Sequence, residues 1–151
     1  MSMALNSRSR DKPDFERVFN NMPGLCLVLD IAFNIVAQND EHARVTQQQS
    51  VGHNLFAAFP DNPDDSGAIG LAQMRQSLLK VLKTREADVL PMLRYDFKPA
   101  RGPYRKGHWS VVNAPILGED GYVRWIIIRA EDVSELVELR ERAESDSGST
   151  R

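Results

Sequence analysis

Three histidines, one cysteine and a cluster of aspartates are the side chains in this 151-residue chain best suited to chemistry. Cys26 is the one possible thiol nucleophile, but it lies inside the apolar run Leu25-Cys26-Leu27-Val28-Leu29. His42, His53 and His108 are scattered, with no spacing that would let them share a metal ion. Each reads as a surface or loop histidine. Asp61, Asp64 and Asp65 could supply an acid and a base. They sit among prolines and glycine, however, which makes a solvated loop. The chain has no Gly-Lys-Ser/Thr phosphate loop, no Gly-x-Ser-x-Gly elbow and no zinc-protease His-Glu pair. Neither an ATP-binding domain nor a phosphoacceptor helix pair fits in the sequence. The chain is expected to be neither an enzyme nor a metal protein.

The gross numbers point to one soluble cytoplasmic domain. A chain of 151 residues can bury one core large enough to fold alone. The formal net charge of −2 is unlike the basic balance of a nucleic-acid surface. No apolar run approaches the ~20 residues needed to span a bilayer. Met1–Lys12 is polar, without a signal-peptide core. A single cysteine allows no internal disulfide, so a reducing, cytoplasmic setting is expected.

Residues 1–13 read as a flexible tail. Phe15, Val18, Phe19 and Met22 share one face of a short helix, Asp14–Met22, closed by Pro23-Gly24. Leu25–Leu29 and Ile35–Gln38 read as strands. Asn39-Asp40 can cap a helix from Glu41. Asn54–Phe59 reads as one helical turn. Ala68–Arg85 is the clearest helix, with Leu71, Met74, Leu78 and Leu82 in a stripe and Ser66 as a cap candidate. Three strand-like runs follow: Ala87–Phe97, His108–Leu117 and Tyr122–Asp132. Pro91 makes the first an edge strand, because proline cannot donate to a ladder. Lys98–Gly107 is a basic hairpin loop and Gly118–Gly121 a tight turn. Residues 133–144 form a helix and 145–151 a disordered end. The plan is α+β, with helices on one face of an antiparallel sheet.

This order resembles the PAS family over residues 14–135. The resemblance rests on Asp132-Val133-Ser134 after the last strand, where the family has Asp, Ile or Val, then Thr. It also rests on Trp109–Ile116, the Gly118–Gly121 turn, and Val51-Gly52-His53-Asn54 before the short helices. It implies a PAS-like five-stranded antiparallel sheet in the order B-A-I-H-G, with residues 14–132 as the sensory domain and 133–144 as a signalling linker helix. Pro115 would then fall on an internal strand, so it should lie at a bulge or beyond the end of strand G.

PAS domains use the concave sheet face and the short helices as a ligand pocket. Placing Ser110, Val112 and Ala114 inward also puts Ile126, Ile128 and Ala130 there. The implied pocket is Leu55, Phe56, Phe59, Met74, Leu78, Met92, Arg94, Ser110, Val112, Ile126 and Ile128. Trp109, Val111, Trp125 and Ile127 would face outward, on the side of Phe15, Val18 and Phe19. They would be either core under the N-terminal helix or a homodimer contact. An inward Arg94 would grip an anion or pair with Asp96 or another acid.

The light-oxygen-voltage branch forms a flavin adduct on a cysteine. Leu55 stands at that position, and the flavin-holding amides match Arg94, Ser110 and Ala130, none of which is an amide. Haem-binding members use a histidine on the long helix, and residues 68–85 contain none. Met74, on the apolar stripe, reads as core. No haem or flavin cofactor is expected, which leaves room for an unknown small molecule. The implied function is a cytoplasmic sensor whose Asp132, Val133 and Ser134 junction relays a signal to an output module of the same polypeptide. That output would be a histidine kinase of a two-component system or a transcription regulator. The rival is a ligand-free PAS dimerisation module. Neither nucleic acid nor membrane is expected as a partner.

Overall fold

The computed structural model describes residues 12–149; the tail expected over residues 1–13 lies mostly outside them. The elements are α1 (Phe15–Asn20), β1 (Leu25–Leu29), β2 (Ile35–Gln38), α2 (Asp40–Thr46), α3 (Leu55–Ala58), α4 (Gly70–Thr84), β3 (Asp88–Arg94), β4 (His108–Leu117), β5 (Val123–Asp132) and α5 (Ser134–Ser149). The strands form one antiparallel sheet in the order β2-β1-β5-β4-β3. This is the order expected from sequence. The core lies between the sheet and α2, α3 and α4, with Leu29, Ile35, Leu78, Val81, Val111 and Ile126 essentially sealed from solvent.

Side-chain caps set the helices that roof the sheet. Asn39 is fully buried. Its Oδ1 accepts from the backbone N–H groups of His42 and Cys26, both at 3.0 Å. Its Nδ2 donates to the carbonyls of Met22 and Gly24. One amide therefore caps α2 and ties it to the start of β1. Asn54 caps α3 in the same way, accepting from Phe56 N at 3.1 Å. For α4 the expected cap, Ser66, is not used. Asp61 Oδ1 reaches in from the preceding loop and accepts from Leu71 N at 3.2 Å. A Cβ on Gly70 would sit 2.8 Å from the Arg94 carbonyl, so only glycine lets α4 start this close to β3.

A polar chain binds α4 to the sheet. Asn113 Nδ2 donates to Ser77 Oγ (2.8 Å), which donates to Asp88 Oδ2 (2.6 Å), and Lys80 Nζ lies 3.2 Å from the other Asp88 oxygen. The bond from Ser77, then that from Lys80, lowers the Asp88 pKa. Asn113 Oδ1 is buried without a partner among the described residues.

The prolines fall where a sheet tolerates them. Pro91 is on β3, an edge strand as expected. Leu90 and Leu93 pair with Val111 and Trp109, so three steps on β3 match two on β4. Pro91-Met92 is therefore a β-bulge. Pro115 pairs with Ile126 of β5 but lies beyond Asp88↔Asn113, the last rung to β3. At the C-terminus, α5 continues to Ser149, past Glu144 where its end was expected. Among the described residues no helix is long and apolar enough to cross a membrane.

Candidate functional site: an apolar cavity beside the helix junction

A cavity of about 110 Å³ lies between the sheet and its helical cover. The sheet contributes Leu25 and Leu27 from β1, Ile128 and Ala130 from β5, Trp109 and Val111 from β4, and Leu93 from β3. The cover contributes His42 and Thr46 from α2, Leu55, Phe56 and Phe59 in and after α3, and Gly70, Leu71 and Met74 from α4. Tyr95 and Phe97 close the side beyond β3. Among the described residues no aspartate, glutamate, lysine or arginine lines it.

Its few polar groups are tied into the protein. Trp109 Nε1 donates to the Tyr95 carbonyl at 3.0 Å, and the indole packs edge-on to Phe97. Gly107 makes this possible, because a Cβ there would lie 2.5 Å from Trp109 Nε1. Thr46 Oγ1 donates to the His42 carbonyl at 2.7 Å, and the Tyr95 hydroxyl donates to the Pro60 carbonyl at 3.0 Å. Burial, then the nearby Asp61, raises the Tyr95 pKa, so the phenol stays protonated. His42 is only 8% exposed, and its ring stands edge-on to Phe59. Its Nδ1 lies 2.8 Å from Gln38 Nε2. Burial pushes its pKa down to about 4, so the imidazole is neutral at pH 7.

The residues expected in the pocket do not all lie together. Leu55, Phe56, Phe59, Met74 and Ile128 line the cavity. Leu78 and Ile126 point into the core but stand behind the lining. Ser110, Val112, Met92 and Arg94 do not face it. On β4 the alternation is opposite to that expected: Val111 and Asn113 pair with Ala130 and Ile128, so Trp109, Val111 and Asn113 share the inner face. Ser110 and Val112 lie on the outer one. Trp109, expected outside, is 6% exposed and forms part of the cavity wall. The bulge at Pro91-Met92 turns Leu93 inward and leaves Met92 and Arg94 exposed.

Arg94 instead borders a separate polar depression with Asp61, Asp65 and Asp96. Its guanidinium lies 3.9 Å from Asp65 and 4.0 Å from Asp96, which fits the acid-pairing reading over an inward anion site. His42, expected at the surface, is a polar lining residue that sequence reasoning missed. Asn39 as a cap placed its helix, but nothing in the spacing indicated which face the imidazole takes. Cys26 is buried away from the cavity lining, and burial raises its thiol pKa.

On the outer face Trp125 and Ile127 are half-buried, and Arg124 lies 5.0 Å from the Trp125 ring. Helix α1 has no buried residue: Phe15 is 65% exposed, Val18 is also exposed and Phe19 is half-buried. The N-terminal helix therefore does not seal Trp109, which is buried from the other side.

At the junction, Asp132 Oδ1 accepts from Ser134 N at 2.9 Å, which places its charge at the N-terminus of α5. His108, the first residue of β4, closes the other side. Its N–H donates to Ser134 Oγ at 3.0 Å and its carbonyl accepts from Val133 N at 2.8 Å. Val137 is buried one turn on, while Leu136 and Leu139 remain exposed.

No protein-family model and no curated protein matches the chain. Solved structures do. An RNA-binding light-oxygen-voltage receptor superposes with a TM-score of 0.67 at 16% identity, over 89% of this chain and 36% of that one. This chain thus spans about a third of that receptor. The PAS domain of a protein from Colwellia psychrerythraea superposes with a TM-score of 0.61 at 12% identity, over 87% and 98%. The PAS domain of BvgS from Bordetella pertussis gives 0.58 at 22% identity, over 90% and 96%. Identities this low carry architecture alone, and the architecture is the same in each: this chain has the PAS fold.

Proposed function

We propose that the chain is a sensory module that holds a small neutral molecule in its apolar cavity and passes occupancy to an output domain through α5. The carrying observation is the adjacency of cavity and junction. Trp109 forms part of the cavity wall, and His108, the preceding residue, holds both Val133 and Ser134. A ligand that shifts the indole pulls on the same two peptide units that set the start of α5. Structural neighbours include a sensory box sensor histidine kinase from Vibrio cholerae and the PAS domain of nitrogen regulation protein NR(II) from Vibrio parahaemolyticus, so a histidine kinase is the output we favour, ahead of a transcription regulator.

Two measurements test this. Native mass spectrometry should show a small mass that is lost on denaturation. Ala130→Leu, which adds bulk to the cavity wall, should mimic occupancy and change hydrogen exchange over Ser134–Arg142. Unchanged exchange there would overturn the relay.

A second reading is a ligand-free dimerisation module. It is favoured by the outer sheet face, where Val89, Met92, Val112 and Ile116 are all exposed beside Trp125. Apolar patches of this kind mark interaction surfaces. In that case a second copy of the chain covers the face, and Ala130→Leu leaves α5 unaffected.

A further inference from the structure

Gln38 determines which nitrogen of His42 carries the proton. One end of the Gln38 amide accepts from Ser50 N–H at 2.9 Å, so that end is the oxygen. The other donates to the Gln48 carbonyl at 2.9 Å, so it is the NH₂. The same NH₂ faces His42 Nδ1 at 2.8 Å. A protonated Nδ1 would set donor against donor. Nδ1 therefore accepts, and the neutral ring carries its proton on Nε2. No hydrogen-bond partner for Nε2 occurs among the described residues. The ring lines the cavity and is more than nine-tenths buried. The other donors of the lining, on Trp109, Thr46 and Tyr95, already serve backbone carbonyls.

We propose that His42 is the polar anchor of this cavity: its Nε2–H donates one hydrogen bond to a neutral, ring-sized apolar ligand that carries a single acceptor, such as a carbonyl oxygen or a ring nitrogen. Size and charge narrow the class. A dry apolar cavity of ~150 Å³ holds one benzene ring, and this one is about 110 Å³. An anionic ligand would lose its hydration with no cation among the described lining residues to replace it. An acceptor-free hydrocarbon would fill the space but leave the Nε2–H unmatched. The inference rests on the ligand-sensing reading above and specifies its chemistry.

The test uses benzene and pyridine, rings of one size of which only pyridine has an acceptor. Both are titrated into the whole chain at pH 7 while the imidazole nitrogens of His42 are followed by NMR. The free protein should show the Nε2-protonated tautomer. Pyridine should move the Nε2 and Hε2 resonances, and benzene should leave them nearly still. In His42→Phe, which keeps the ring and removes the N–H, the pyridine-to-benzene affinity ratio should fall roughly two- to tenfold, the range of one neutral hydrogen bond. The wild-type resonances decide the matter even if that variant does not fold. A protonated Nδ1, or benzene and pyridine shifting Nε2 alike, overturns the anchor while leaving the cavity a binding site. If neither ring binds, both the anchor and the ligand-sensing reading fall.

Discussion

Acidification should weaken this fold through His42, by an amount set by its burial. The unfolded chain protonates its histidine near pH 6.5, whereas the buried imidazole resists until about pH 4. Between those values the unfolded state holds more protons, so stability falls as pH falls. The contribution is fully present above pH 6.5, declines through the window and is gone below about pH 4. A separation of about 2.5 units at 1.36 kcal/mol each amounts to roughly 3 kcal/mol. That is a sizeable part of the 5–15 kcal/mol typical of a domain. Carboxylates titrate in the same range, so the measurement is a difference. Urea unfolding of the wild type and of His42→Phe should be compared from pH 7.5 to pH 4. The wild type should lose about 3 kcal/mol more than the variant, with most of the divergence between pH 6.5 and 4. Parallel stability curves would refute the reasoning, because they would mean that the imidazole is charged, or reaches water, in the folded protein.

Asp132→Ala removes the acceptor for Ser134 N and should cost about 0.5–2 kcal/mol, felt as faster hydrogen exchange in Ser134–Arg142 while the sheet stays protected. Unchanged protection would show that His108 alone holds the junction. Ser77→Ala breaks both bonds of the Asn113–Ser77–Asp88 chain and should destabilise the fold by about 1–3 kcal/mol in denaturant titration. Trp125→Glu puts a charge on the outer sheet face and should convert a dimer to monomer in sedimentation; a wild type that is monomeric at high concentration would rule out that face as a contact. The purified protein should be colourless, since Leu55 lines the cavity where an adduct would need a thiol and Cys26 does not; a flavin or Soret band in undenatured protein would contradict this.

Where local chemistry decides structure, the sequence was easy to read. Leu25–Leu29, Ile35–Gln38 and His108–Leu117 stand in the structure with the expected bounds. Pro23-Gly24, Asp30 and Asn39 punctuate the first two, and a hairpin turn closes the third. Facing was harder. On β4 both parities carry apolar residues, Trp109 and Val111 on one and Val112 and Ala114 on the other, so alternation alone does not choose. The buried Asn113 adds to the ambiguity, because a polar residue at that parity argues for the outside until Ser77 is seen to satisfy its amide N–H. The bulge at Pro91-Met92 then shifts the parity of β3 by one residue and moves Met92 and Arg94 out of the cavity. His42 was hidden for a different reason. Its burial depends on Asn39 holding α2 down onto β1 and on Phe59 arriving from α3, contacts made by residues distant in the chain.

The bulged, proline-bearing β3 edge also bears on how molecules of this chain meet. A sheet has two open flanks, and a long straight one invites another strand to add to it, which is the first step towards fibrils. Here one flank is β2, only four residues long. The other is β3, where Pro91 offers no N–H and the extra residue beside it twists the ladder out of line. An incoming strand finds at most a few consecutive partners on either side. Concentrated solutions of the protein should therefore stay free of cross-β aggregates under conditions where the sheet itself remains folded.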